Sequence, residues 1–84
     1  MNIAVDIIAA FNSGGEIKPL YIRLEDENHN LISYKLEVKY EKSEHYAGIN
    51  SLLFHCSYTS YENVIKEIDV KYYVESHKWV LVDN

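Results

Sequence analysis

Several common resources are scarce in this chain. It has a single cysteine, Cys56. No intramolecular disulfide can form, so the fold rests on packing, with or without help from self-association. A lone thiol also fits a reducing compartment. Pro19 is the only proline and there are three glycines; no linker, repeat or low-complexity segment is present. Positive charge is short as well. Eight Lys and Arg face 13 Asp and Glu, for a net charge of −5, and Arg23 is the only arginine. Nucleic-acid binders need a basic footprint that displaces counterions from phosphates, and this balance argues against one. No apolar run approaches the roughly 20 residues that span a bilayer. The N-terminus, Met1-Asn2-Ile3-Ala4-Val5-Asp6, has no basic region, and Asp6 interrupts its apolar run, so no secretory signal is expected. These absences together predict a cytoplasmic protein that does not enter a membrane.

What is present is tyrosine, with eight copies against two Phe and one Trp. Tyrosine favours strands and can fill the rim of a small core while its hydroxyl reaches water. The 84 residues make one domain, 1–84, with room for a single modest core.

Alternation is the dominant pattern. Ile32, Tyr34, Leu36, Val38 and Tyr40 alternate with Ser33, Lys35, Glu37 and Lys39. A period of two is the geometry of a strand with one face in a core. The same pattern recurs at 20–25, 52–59, 68–75 and 78–82. Residues 3–11 alternate too, although Ile3, Ile7 and Phe11 also satisfy a helical spacing; the β-branched residues favour the strand. Asn12-Ser13-Gly14-Gly15, residues 26–30, residues 61–64 and Ser76-His77 read as turns. Pro19 suits the start of a strand or an edge. Lys42 to Asn50 has no regular period and reads as the longest loop, with Gly48 allowing a bend.

Short connections make sequence neighbours pair. The expected architecture is all-β: a six-stranded antiparallel meander closed into a small barrel or half-barrel sandwich of SH3-like type. Its expected core is Val5, Ile7, Leu20, Ile22, Leu24, Ile32, Tyr34, Leu36 and Val38 from the first half. From the second half come Leu52, Phe54, Cys56, Ile68, Val70, Tyr72, Val74, Trp79 and Leu81.

Few residues point to chemistry. His55 and Cys56 are adjacent, but neighbours on a strand face opposite ways and cannot share a ligand. No C-x-x-C or H-x-x-x-H spacing occurs. Glu25-Asp26-Glu27 lacks the spacing of a calcium loop. There is no G-x-S-x-G elbow, P-loop or dinucleotide fingerprint. No catalytic residue, metal or cofactor is therefore expected, and the protein is not expected to be an enzyme. Tyr21 and Tyr73 should lie on the solvent face, with Tyr46 and Tyr61 in a loop and a turn. Exposed tyrosines are enriched at protein interfaces.

The pattern Asp6-Ile7-Ile8-Ala9, Phe11, Gly15-x-Ile17-x-Pro19-Leu20-x-Ile22-Arg23-x-Glu25-Asp26, then Tyr46-Ala47-Gly48-x-Asn50, Phe54-x-Cys56, Tyr72 and Lys78-Trp79 covers nearly the whole chain. It resembles a group of short uncharacterised proteins from low-GC Gram-positive bacteria. The resemblance implies a compact all-β domain in a bacterial cytoplasm, no catalytic residues, and a tight corner built by Gly48 and Asn50.

The expected function is a small interaction or adaptor domain. It would bind a protein, or a second copy of itself as a homodimer, through a strand edge or a surface around Tyr21, Tyr46, Tyr73, Gly48 and Asn50. The alternative is a nucleic-acid-binding barrel, which requires the lysines to converge. Lys35, Glu37, Lys39 and Glu41 are instead expected to interleave along one outer face.

Overall fold

A computed structural model describes residues 2–82. Its elements are β1 (Asn2–Ala4), β2 (Asp6–Phe11), β3 (Ile17–Glu25), β4 (Leu31–Lys35), β5 (Glu37–Tyr46), β6 (Ile49–Thr59), β7 (Ile65–Tyr73) and β8 (Lys78–Val82). All pairings are antiparallel. A five-stranded sheet has the order β1-β8-β7-β6-β5, and a three-stranded sheet has the order β2-β3-β4.

The all-β, antiparallel expectation holds, but eight strands in two sheets replace the six-stranded barrel. The described residues do not close into a barrel, because two of the expected strands change sheet partway. Residues 2–11 are strand rather than helix and break at Val5, whose amide donates to the Trp79 carbonyl at 3.3 Å. The long alternating strand breaks at Leu36, whose amide donates to the Leu20 carbonyl at 2.8 Å. Leu36 is itself buried, so the bend is held by apolar burial and by a backbone bond.

Two β-bulges then reset which side chains face the core. Ile8 pairs with Tyr21 but Ala9 pairs with Pro19, leaving Leu20 as the extra residue. Pro19 is thus fully buried inside the central strand of its sheet, rather than at a beginning or an edge. A bulge is the place in a sheet where a missing donor N–H is tolerated. On β5, Val38 pairs with Cys56 and Tyr40 with His55, so Lys39 is the extra residue. Tyr40 therefore turns outward, and Glu41 lands opposite Phe54 on the inner side. The expected Lys-Glu ladder along 35–41 does not form one face.

The core consists of Ile17, Ile22, Leu36, Phe54, Cys56, Val70 and Tyr72. Val5, Ile7, Leu24, Tyr34, Val38, Leu52, Ile68, Trp79 and Leu81 pack around it as expected, joined by Ala9 and Tyr58. Val74 is exposed, because the ladder of β7 ends at Tyr73–Lys78 and Val74 enters the turn. Trp79 lies 5.7 Å from Phe54 and 4.9 Å from Tyr72 between ring centroids, which ties β8 to β6 and β7.

Three hairpins use one device. An oxygen on the first turn residue accepts from the amides two and four residues on: Asn12 from Gly14 and Glu16, Asp26 from Asn28 and Asn30, Ser60 from Glu62 and Val64. The fourth residue of each is left-handed: Gly15 at φ 84°, His29 at 64° and Asn63 at 61°. Short polar side chains that cap their own turn explain why these stretches stop the strands.

The expected loop from Lys42 to Asn50 is a correction. Lys42–Tyr46 continues β5, and Ile49 already opens β6. Ala47 at φ 52° and Gly48 at φ 81° form the two-residue turn between them. Two successive positive φ angles mark the turn type that matches strand twist. No alternation is visible in Lys42-Ser43-Glu44-His45 because this stretch is mostly exposed at a sheet edge, where polar residues suffice.

Candidate interaction site

The edges of the two sheets differ in their chemistry. β5 is ten residues long and pairs on one side only, with β6. It carries the bulge at Lys39 and the charged residues Glu37, Lys39, Glu41, Lys42 and Glu44. Lys39 lies 3.5 Å from Glu37, and Lys42 lies 3.8 Å from Glu44. Bulges and charges on an edge discourage pairing with another chain.

β2 is the opposite case. Among the described residues it pairs only with β3. Beyond Asp6 it reads Ile7-Ile8-Ala9-Ala10-Phe11, with no charge or proline. Ile8 and Phe11 are 61% and 64% exposed. An apolar edge with unpaired backbone groups is a template for strand addition.

A groove of about 650 Å³ is lined by the bend at Val5, by β2, by Tyr21, Ile22 and Arg23 of β3, by Ser33 of β4 and by the start of β8. Ile8 and Tyr21 form one part of its lining and Trp79 another. Asp6, Arg23 and Lys78 supply its charges. Arg23 donates to Asp6 Oδ2 at 2.7 Å across the β2–β3 pair, and both side chains are largely exposed. Lys78 has no ion pair among the described residues.

Tyr21 stands, as expected, on the outer side of the three-stranded sheet, opposite Ile8 in register. Tyr46 is 83% exposed at the tip of the β5–β6 hairpin, beside the Ala47-Gly48 turn. Asn50 lies in the same hairpin, where its Oδ1 is 2.6 Å from His45 Nδ1 and its carbonyl accepts from the Val74 amide at 3.2 Å. Tyr73 pairs with Ser51, next to this hairpin, but it is half-buried and its hydroxyl accepts from Asn2 at 3.2 Å. The structure therefore groups Tyr46, Gly48, Asn50 and Tyr73 at one end of the five-stranded sheet. Tyr21 belongs to the other sheet. Ile8, Phe11 and Lys78 were missed as surface residues, although an apolar run after a single Asp was a visible warning in residues 6–11.

The outer side of the five-stranded sheet holds a second polar group. His55 Nδ1–H donates to Asp69 at 2.5 Å, its Nε2 lies 3.4 Å from Glu67, and Tyr40 stacks on the ring at 5.0 Å. The bond to Asp69 foremost, and then that to Glu67, raises the His55 pKa above its usual 6.5. Beside it, Lys71 Nζ is 3.1 Å from the buried Glu44 Oε1, which has no aligned hydrogen bond; charge attraction compensates that oxygen. These contacts lie on the outer face of the sheet. Cys56, on the opposite side of β6 from His55, is buried, and desolvation pushes its thiol up to about 11. Such a thiol is a poor nucleophile.

Among the described residues, no helix is long and apolar enough to cross a membrane, and no group of three or more His, Cys, Asp or Glu could hold a metal ion. No family model, curated protein or solved structure matches this chain.

Proposed function

We propose that this chain is a small protein-interaction domain that binds an extended segment by strand addition on β2. The carrying observation is the contrast of two edge strands: β5 is bulged and charged, whereas β2 is unpaired on one side among the described residues and beyond Asp6 carries no charge, with Ile8 and Phe11 exposed. A short apolar edge left unguarded beside a groove fits a binding role better than a structural one. Tyr21, next to Ile8, supplies an amphipathic contact on the same surface. The buried free thiol of Cys56 fits work in a reducing, cytoplasmic compartment. On the five-stranded sheet Lys39, Lys42 and Lys71 are each paired with glutamates, which leaves no basic stripe there for a nucleic acid.

Selection from a random displayed-peptide library tests the reading. Enriched peptides should slow hydrogen exchange of the amides at 6–11. They should lose binding when N-methylated at alternate residues, since methylation blocks backbone pairing. Failure to enrich any peptide, or protection centred elsewhere, would overturn it.

A further inference from the structure

Resting on that reading, we infer that the segment accepted by β2 is acidic: an extended stretch of a partner protein in which carboxylates alternate with apolar residues. The argument begins with the direction of side chains. An added strand places alternate residues on the two faces of the sheet it joins. On the inner side its residues meet Ile7 and Trp79, which call for apolar partners. On the outer side they lie along Asp6 and Ile8, the two positions that pair with Arg23 and Tyr21 on the neighbouring strand. Lys78 flanks the groove from β8.

Charge decides the outer residues. The chain carries −5 overall, yet the groove holds Arg23 and Lys78 against Asp6 alone. The adjoining outer face adds Lys18 and Lys35, neither in an ion pair among the described residues, and Glu25 at its far end. Lys66, on β7, is the other lysine without one among the described residues. Three of the four lysines without an ion pair among the described residues, Lys18 on β3, Lys35 on β4 and Lys78 on β8, thus lie on or beside the three-stranded sheet. Complementary charge sets partner choice and encounter rate.

Asp6 has a defined part in this arrangement. It already holds the Arg23 guanidinium as an exposed carboxylate pair. Exposed pairs of this kind are weak and exchange readily. An incoming carboxylate takes the place of Asp6, so Asp6 acts as an internal competitor. Its removal should strengthen binding rather than weaken it, which a purely structural role would not do.

The test uses three fluorescein-labelled synthetic heptapeptides, alternating Val with Glu, Ser or Lys. Anisotropy is read at about 50 mM and about 300 mM salt, a range over which exposed charge attraction is progressively screened. The Glu peptide should bind about tenfold tighter than the Lys peptide at low salt, and the gap should shrink at high salt. Arg23→Gln and Lys78→Gln should each weaken Glu-peptide binding about threefold or more, and Asp6→Asn should tighten it about threefold. Melting curves of the three variants confirm that each is folded. If the Ser or Lys peptide binds as tightly as the Glu peptide while amides 6–11 gain protection, the acidic assignment falls and strand addition stands. If no peptide protects those amides, both fall. Concentration-dependent dimerisation in light scattering that Ile8→Lys abolishes would put a second copy on β2 and overturn the peptide assignment.

Discussion

The edge of β5 and the edge of β2 solve the same problem in opposite ways. Both strands end a sheet, and both leave one row of backbone groups unpaired. β5 answers with a bulge at Lys39 and with charges at short intervals. β2 answers with nothing beyond Asp6. One edge of ten residues is thus interrupted and charged, while another leaves an apolar stretch open. The two outer faces differ in the same sense. On the five-stranded sheet His55 is paired with Asp69 and Lys71 with Glu44, although Glu44 Oε1 is buried without a hydrogen bond among the described residues. On the three-stranded sheet Ile8 and Tyr21 face water, and Lys18 and Lys35 have no ion pair among the described residues.

The strongest way to probe this contrast is to compare a residue both sheets need with one only the open edge needs. Phe54 is buried where β6 meets β5 and Trp79. Phe54→Ala should cost about 3–5 kcal/mol in urea denaturation, a large part of the stability of a domain this small. Ile8→Lys should change stability by less than about 0.5 kcal/mol, since Ile8 is mostly exposed. A large loss from Ile8→Lys would mean that β2 is a packing edge and not a binding edge.

A smaller effect is expected at the far end of the guarded edge. Ala47 holds φ 52° in the β5–β6 turn, a conformation that costs residues with a Cβ. Asn tolerates it better, so Ala47→Asn should stabilise the protein by about 0.5–1 kcal/mol in the same assay. A neutral or destabilising result would show that the hairpin does not limit the stability of β5.

The guarded face should also respond to pH. His55 binds its proton more tightly in the fold than its usual 6.5, through Asp69 first and Glu67 second. Its contribution is therefore fully present below that value and is lost as pH rises through the raised folded pKa. The melting-temperature advantage of the wild type over His55→Gln should be greatest near about pH 5.5, where histidine is protonated, and shrink steadily toward alkaline pH. A difference constant across that range would contradict the ion-pair account.

The smallest stability effect belongs to the open edge. Asp6→Asn breaks an exposed pair with Arg23 and should shift the denaturation midpoint by no more than about 0.5 kcal/mol. That near-silence keeps its expected gain in peptide affinity separable from any change in fold.

Particular residues show where the sequence was legible. The turns at Asn12, Asp26 and Ser60 fall where Gly, Asn, Asp and Ser cluster, and the side chains there cap their own backbone. Phe54, Cys56, Val70 and Tyr72 are buried as alternation demands. Alternation failed at Tyr40, because a bulge one residue earlier turned it outward onto His55. It failed at Lys42–Asn50 because an exposed edge strand needs no apolar period. Of the proposed surface, only the outward placement of Tyr21 was legible. Trp79 and Lys78 stand more than fifty residues from β2 in the chain and reach the groove only through the folding of β8 against β1.

The sequence by itself thus determined that the chain is all-β and antiparallel, where its hairpins turn, and which residues form most of its core. Those properties are local: a period of two and a capped turn are written within a few neighbouring residues. Only the tertiary structure decided that the chain bends at Val5 and Leu36, that bulges at Leu20 and Lys39 exchange inner for outer faces, and that β2 is left open beside Trp79 and Lys78. A strand's partner and sheet are set by contacts with distant segments, and its own alternation is the same whichever sheet it joins.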